Sequence, residues 1–353
     1  RAPPAFCRKD EGVVAMSLLG ENIWLNAVTI IVGSAVLVFI GGIFSMLYRG
    51  IDRKLVAHMQ GRVGPPIIQP FRDVQKLMMK ESIIPDGAVA WLFKAAPFIC
   101  LITSALLLLY IPMFGLQALL GGFGDALLVV YLLILPSLAL AVGGFASSSP
   151  YATVGAQREM VSLMSLEFPL AIAIVAFGWR IGRVTTANPF MFSTIAENPI
   201  WSVVGPLGVI GALILLFTLM VVTSGKGGKV PFDAAEAETE IAGGILVEYS
   251  GRNLCMFYVA DIVKSFAIAS LVVALFIPYN LSPLVGIGTP VLAGIVDGLF
   301  FLVKVFAVMF ISMSVIRTAM ARFKISQISW VYIIAMTLIG LIGLILMAVD
   351  LMV

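Results

Sequence analysis

Eight uninterrupted apolar stretches decide what this 353-residue chain can fold into. They run approximately from Ile23 to Leu47, Trp91 to Met113, Ala126 to Ala146, Val161 to Trp179, Val203 to Thr223, Leu254 to Ile277, Val291 to Met313 and Ile328 to Val349. Each is long enough to cross a bilayer as a helix, which takes about 20 residues. With 61% hydrophobic residues against 12% charged, the chain carries more apolar surface than one soluble core can hide. The alternating pattern of a membrane barrel strand is absent. The expected fold is therefore all-α: a polytopic membrane protein with eight transmembrane helices plus short amphipathic cytoplasmic helices. Nothing divides residues 1–353 into parts, so they are read as a single membrane domain with a polar tail over 1–22.

Charge gives the orientation. The first, third, fifth and seventh connections carry 14 Lys and Arg, while the second, fourth and sixth carry 2. By the positive-inside bias the odd connections are expected in the cytoplasm and both termini outside, in the plasma membrane. The tail "RAPPAFCRKDEG" lacks the apolar region and cleavage site of a signal peptide. It reads as an extension ahead of a start at Met16.

Cofactor chemistry is constrained by what the chain carries. Cys7, Cys100 and Cys255 are far apart and form no C-x-x-C pair, which argues against an iron–sulfur or zinc site here. His58 is the only histidine, so a bis-histidine haem is excluded. Any redox cofactor is expected in a partner, with none bound by this chain.

Two connections on the basic side are long and chemically rich, 48–90 and 224–253. In the first, Gly64-Pro65-Pro66 enforces a turn, and Pro70 suits the first turn of a helix. Phe71, Val74, Leu77 and Met78 then recur at helical spacing, opposite Arg72, Asp73, Lys76 and Lys80. This predicts an amphipathic helix along the membrane surface, for which binding to lipid headgroups is the plain alternative.

The second holds "KVPFDAAEAETEIAGG", four carboxylates within eight residues. Asp233 and Glu236 have capping-box spacing, predicting a helix from there to Gly243-Gly244. In such a helix Glu236 and Glu240 share a face, and their repulsion makes one carboxyl hold its proton more tightly. Glu248 follows among apolar residues. A solvated acidic loop is the alternative.

Ionisable residues also interrupt the apolar spans. Each costs about 2.5–3.5 kcal/mol at a helix centre, and such residues often mark ion pathways. Asp261 and Lys264 are three apart and are expected to pair. Asp297 and Lys304 are seven apart, a spacing that suits a relay with water or a third side chain between them. Glu167 has no cation within reach on its own helix and is expected to act as a proton-exchanging carboxyl. The alternative for all of them is helix–helix adhesion through satisfied pairs.

Three motifs, "GRVGPPIIQPFRDVQKLMMKE", "GAQREMVSLMSLEFPL" and "PFDAAEAETEIAGGILVEYSG", together resemble the chain 1 (H-type) subunit of respiratory complex I. The likeness runs from about Glu21 onward. It implies the heel of a membrane arm, a subunit of a multisubunit oxidoreductase and translocase. It also implies that Arg62, Gln69, Asp73, Lys76 and Arg158 lie at the junction with the peripheral arm. Glu167, Asp233, Glu236, Glu238, Glu240 and Glu248 would then line the acidic entrance to a hydrophilic path, continued by Asp261, Lys264, Asp297 and Lys304.

One departure bears on the reaction. Complex I chains typically read R-K-G-P-N-x-x-G-P-x-G-L-L-Q-P where this chain has the shorter "RVGPPIIQP", Arg62 to Pro70. The short form resembles the version in membrane-bound [NiFe]-hydrogenases and related sulfane reductase complexes, and "GAQRE" in place of G-A-L-R-A points the same way. The resemblance thus implies a ferredoxin-linked pump moving H⁺ or Na⁺. Its partners would be hydrogenase-like large and small subunits, an iron–sulfur subunit and antiporter-like membrane subunits. [4Fe-4S] clusters and a NiFe site would sit in those partners. The quinone-binding H-type subunit of a complex I-like NADH or ferredoxin:quinone oxidoreductase and the equivalent sulfane reductase subunit are the alternatives. Nucleic acid is not expected as a partner.

Overall fold

The computed structural model describes residues 23–286 and 289–351. The expectations about the tail over 1–22, including Met16 and Cys7, lie outside them. Eight helices among the described residues are long and apolar enough to cross a membrane, and no β-strand occurs among those residues, so the fold is an all-α polytopic membrane protein.

The spans are α1 (Ile23–Met59), α3 (Ala90–Tyr110), α4 (Ala126–Ala146), α5 (Pro150–Ile181), α6 (Pro206–Lys226), α7 (Gly251–Phe276), α8 (Pro290–Ala319) and α9 (Ile325–Val349), with the surface helix α2 (Gln69–Met79) between the first two. Helix α7 is the hub. Of its most apolar stretch 89% is buried inside the protein, against 11% for α1 at the edge. This is why α7 tolerates Asp261 and Lys264: neighbouring helices, not lipid, surround them.

Several helices outrun their apolar stretches. The first continues beyond Leu47, through Arg49, Asp52 and Arg53, to Met59, and stops before the positive-φ Gly61. The fifth starts at Pro150, well before the apolar run at Val161, because Pro suits the first helical turn. Its polar opening turns pack against the 234–246 segment. In α8 the segment Phe310–Val315 is a π-helical turn, and in α9 so is Trp330–Met336.

The second helix has Pro70 in its first turn as expected, but it docks on protein. Cys255 of α7 donates its thiol to the Val74 carbonyl at 3.9 Å, and Asp73 turns inward, accepting from Arg53 of α1 at 2.7 Å. Asp73 therefore does not stand on the solvent face with Arg72, Lys76 and Lys80.

At the opposite face of the bundle, Asp350 at the end of α9 is pinned beneath the start of α6. It accepts from Arg180 at 2.9 Å and from the Gly205 amide at 2.8 Å, and both side chains are buried. The bond ties the last span to α5 and α6.

Candidate functional site

About 15 Å along the α7 axis from Gly251, the half-buried Asp261 anchors a set of charges whose lysines are buried. Its Oδ2 accepts from Lys229 Nζ at 2.6 Å, while Lys264 Nζ stands 4.0 Å from Oδ1. The expected i, i+3 pair is thus present only as the longer of two contacts. Lys229, from the 227–233 segment, is the principal partner. Lys229 itself is held below the usual lysine range by burial and by the nearby Arg49 charge, against the opposing pull of Asp261 and Glu236.

Glu236 is within electrostatic range of this pair. Burial, reinforced by the Asp261 charge, pushes its carboxyl up to about 7, with Lys229 pulling the other way and Glu159 adding to the push. Lys229 and Lys264 thus both act on Glu236 and on Asp261, so protonation at one carboxylate changes the field at the other.

On the other side of the set, Lys226 at the end of α6 is bonded to Glu167 Oε1. Lys226 is also within electrostatic range of Lys264 and Glu159. This corrects the reading of Glu167 as lacking a counter-ion: its cation comes from a different helix, which spacing along one helix cannot show. The Glu167 Oε2 atom remains buried without a hydrogen-bond partner among the described residues.

The segment that covers the set is not the expected helix. Residues Ala234–Glu236 form one 3₁₀ turn, Ala237 is extended with ψ of 96°, and Glu238–Ile241 form a separate α-turn. Asp233 does not cap it. Arg322, from the connection between α8 and α9, occupies the Asp233 carboxylate with two bonds, Nε to Oδ1 at 2.8 Å and Nη2 to Oδ2 at 2.6 Å, and bonds Thr239 Oγ1 at 2.7 Å. Such a fork is stronger than a neutral cap.

The break also separates the two acids expected to repel. Glu240 turns outward to accept from Arg158 Nη1 at 2.6 Å, while Glu236 turns inward. Gly155, the first residue of "GAQRE", lets the segment lie directly on α5, since a Cβ there would stand 2.6 Å from the Ile245 amide nitrogen. Gly244, at φ 54°, has the Ala235 carbonyl where a side chain would go.

Other expected residues fall elsewhere. Glu238 is exposed and Glu248 is half-buried, neither with a side-chain hydrogen bond among the described residues. Asp297 and Lys304 make no direct bond to each other among the described residues, and each is engaged by backbone groups instead. Asp297 accepts from the Leu281 and Ser282 amides at 2.8 and 2.7 Å, and Lys304 donates to the Ile277 and Tyr279 carbonyls at 2.9 and 2.8 Å. Both hold the 277–286 connection at the far end of α7. That end lies about 22 Å along the helix from Asp261, too far for them to join its charges.

On α2, Gln69 Nε2 donates to Asp73 Oδ1 at 2.9 Å, and Tyr258 reaches the same carboxylate at 3.5 Å. Burial alone would push Asp73 up, but the Arg53 and Gln69 bonds and the Arg53 charge hold it below the usual carboxylate range. Arg62 and Lys76 are exposed, Arg62 being bonded to Gln60.

Over residues 31–348 the chain matches the NADH dehydrogenase family. It belongs to that family. It is 32% identical over 312 residues to the NADH-quinone oxidoreductase H subunit of Syntrophotalea carbinolica, an alignment spanning 82% of this chain and 87% of that one. It is likewise 32% identical over 235 residues to hydrogenase-4 component C of Escherichia coli (strain K12), 66% of this chain and 71% of that one. Among solved structures it resembles a chain of the membrane-bound sulfane sulfur reductase, an archaeal respiratory membrane complex, with a TM-score of 0.78 and 27% identity, covering 90% of this chain and 98% of that chain. As an NADH dehydrogenase family chain it is a membrane subunit of a complex I-like oxidoreductase assembly.

For this family member, spacing alone finds Lys264 but misses the other two lysines of the site. Lys226 and Lys229 lie in "SGKGGKV", whose glycines suggest only a loop, and Glu159 and Arg322 sit in stretches read for other reasons. A signal exists: two lysines directly before an acid cluster in a chain poor in charge.

Proposed function

We propose that this chain is the membrane-arm heel subunit of a redox-driven ion pump of the membrane-bound hydrogenase type, linked to ferredoxin, with its odd connections facing the cytoplasm. The observation that carries this reading is the alternation of the half-buried Glu236, Asp261 and Glu167 with the buried Lys229, Lys264 and Lys226, beside a segment clamped by Arg322 and Arg158. Buried charges in a membrane protein are costly, and a set whose members share counter-ions shifts its protons when one nearby charge changes.

The [4Fe-4S] clusters and the NiFe site would be held by partner subunits and would supply electron transfer from the reduced carrier. The charge change there acts on the Asp233–Gly244 segment and on Glu236, which takes up or gives up a proton near neutrality. Lys229 is then drawn toward whichever carboxylate is anionic, and the change reaches Lys264, Lys226 and Glu167. Antiporter-like neighbours carry H⁺ or Na⁺. Asp297 and Lys304 have no part in this path. The compact "RVGPPIIQP" turn, the sulfane reductase fold likeness and the hydrogenase-4 relative support a quinone-independent enzyme.

The test is Asp261→Asn in the intact complex reconstituted in vesicles: electron transfer continues and ion uptake falls. Uptake equal to wild type at equal electron flux overturns the reading. Metal analysis of the copurified assembly decides the type, nickel marking the hydrogenase form.

A second reading, the H-type subunit of a quinone-reducing enzyme, rests on the 32% identity across 312 residues with a relative named for quinone. Quinone reduction by the purified complex, blocked by a head-group inhibitor, selects it.

A further inference from the structure

Between α1, α7 and the π-turn of α8 lies a cavity of about 20 Å³, walled in part by Ser45, Arg49, Asp52, Ser265, Met313 and Ser314. About 10–15 Å³ suffices for one water molecule. Three of these residues are hydroxyls, and all three are buried in a membrane span.

The bonding of the wall leaves a defined gap. Ser45 donates to the Gly42 carbonyl at 2.8 Å, Ser265 to the Asp261 carbonyl at 2.8 Å and Ser314 to Asp52 Oδ1 at 2.6 Å. Each hydroxyl has thus spent its proton and keeps oxygen lone pairs. Arg49 presents the complement: its Nε–H is buried without a partner among the described residues. The Arg49 guanidinium stands 3.9 Å from Asp52 Oδ2, and Arg317 stands 3.6 Å from the same oxygen. A buried donor facing several spare acceptors in a space of one water's size fits a water that accepts from the arginine and donates to the serines.

We infer that this cavity is a structural water site, and that its water joins the Asp52–Arg49–Arg317 cluster to Ser265 and so to the Asp261 turn of α7. The inference rests on the ion-path reading above and adds a branch to it from α1. The π-turn has a use here, since its widened backbone sets Phe310, Met313 and Ser314 on the cavity wall. Asp52 becomes a positioning residue: held by Ser314, Arg49 and Arg317, it fixes the guanidinium that orders the water.

X-ray radiolysis of the intact complex, read by mass spectrometry, tests this, because hydroxyl radicals formed from a bound water oxidise the side chains beside it. Met313 lines the cavity and is 3% exposed, while Met347 is equally sealed at 2% but lies away from it. Met313 oxidised several-fold faster than Met347 is expected, with Ser265→Leu, which fills the cavity, bringing the two together. Equal, low oxidation of both in the wild-type complex overturns the site, whether or not the variant folds. If Met313 is labelled but Ser265→Leu leaves ion uptake per electron at the wild-type value, the branch is overturned, whereas failure of Asp261→Asn to alter uptake would strike the main path instead.

Discussion

Lys229 Nζ lies 2.6 Å from Asp261 Oδ2, whereas Lys264, on the same helix as Asp261, lies 4.0 Å away. The nearer cation comes from a segment outside the bilayer spans and the farther one from within, so the main counter-ion of a charge inside the membrane is delivered by a connection. Lys229→Met therefore leaves Asp261 without its principal partner. Removing one partner of a buried pair costs about 3–5 kcal/mol, and the thermal stability of the purified complex is expected to fall accordingly. Lys264→Met is expected to cost clearly less, and Lys229→Met/Asp261→Asn to recover part of the loss. Equal losses in the two single variants would show that Lys229 is not the principal partner.

Glu236 gives the site its pH dependence. Its pKa is raised from 4.5 to about 7 in the folded chain. Between those values the folded state holds a proton that the unfolded chain has released, so stability falls as pH rises through the window. Glu236→Gln is expected to remove that slope and to be more stable relative to wild type at pH 8 than at pH 5. Infrared titration is expected to show a carboxyl band lost near pH 7 in the wild type and missing from the variant.

The eight spans are legible in the sequence because apolar length alone identifies them, and the docking helix because Pro70 and the Phe71–Met78 spacing mark it. Partnership is not. Glu167 has no cation on its own helix, but Lys226 approaches from another. Asp297 and Lys304 look like a relay because spacing does not say which backbone groups a side chain will meet. The acidic helix fails at Ala237, where the pull of Arg322 on Asp233 outweighs the capping preference of an isolated segment. The resemblance places the acids near the site; only the folded chain shows which of them face inward.

The two arginine clamps differ in exposure. Arg322 and Asp233 keep 24% and 13% of their side-chain surface, Arg158 and Glu240 keep 22% and 39%. Charge-assisted bonds are worth roughly 1.5–3 kcal/mol when shielded and less when solvated. Arg322→Gln is expected to speed amide exchange across residues 234–246 more than Arg158→Gln does. The reverse order would assign the closing contact to Arg158.

Gly155→Ala tests how closely the segment must lie on α5. The added carbon meets backbone at Ile245 and Ala235 rather than a flexible side-chain end. It is expected to lift the segment and lower ion uptake while leaving the spans intact, measured as faster exchange over 234–246 with unchanged helix content. Unaltered exchange and uptake would show that close contact is dispensable.

Asp350 braces the opposite face. Burial opposes its ionisation, but the Gly205 and Gly208 amides and Arg180 hold its carboxyl below the usual range. Its contribution is therefore full above the ordinary carboxylate range and is lost as pH falls. Asp350→Asn is expected to destabilise the complex by about 3–5 kcal/mol at neutral pH, since Arg180 is left buried and unpaired, with the difference narrowing in acid. A constant difference across pH would remove the carboxylate from that role.

The most direct measurement is the number of ions taken up per electron by vesicles holding the complex with Glu236→Gln. Electron transfer at the wild-type rate with ion uptake abolished is the expected result, because glutamine fills the same space beside Asp261 and Lys229 but cannot exchange a proton. Uptake per electron equal to wild type would contradict the assignment of Glu236 as the group through which redox events reach the membrane.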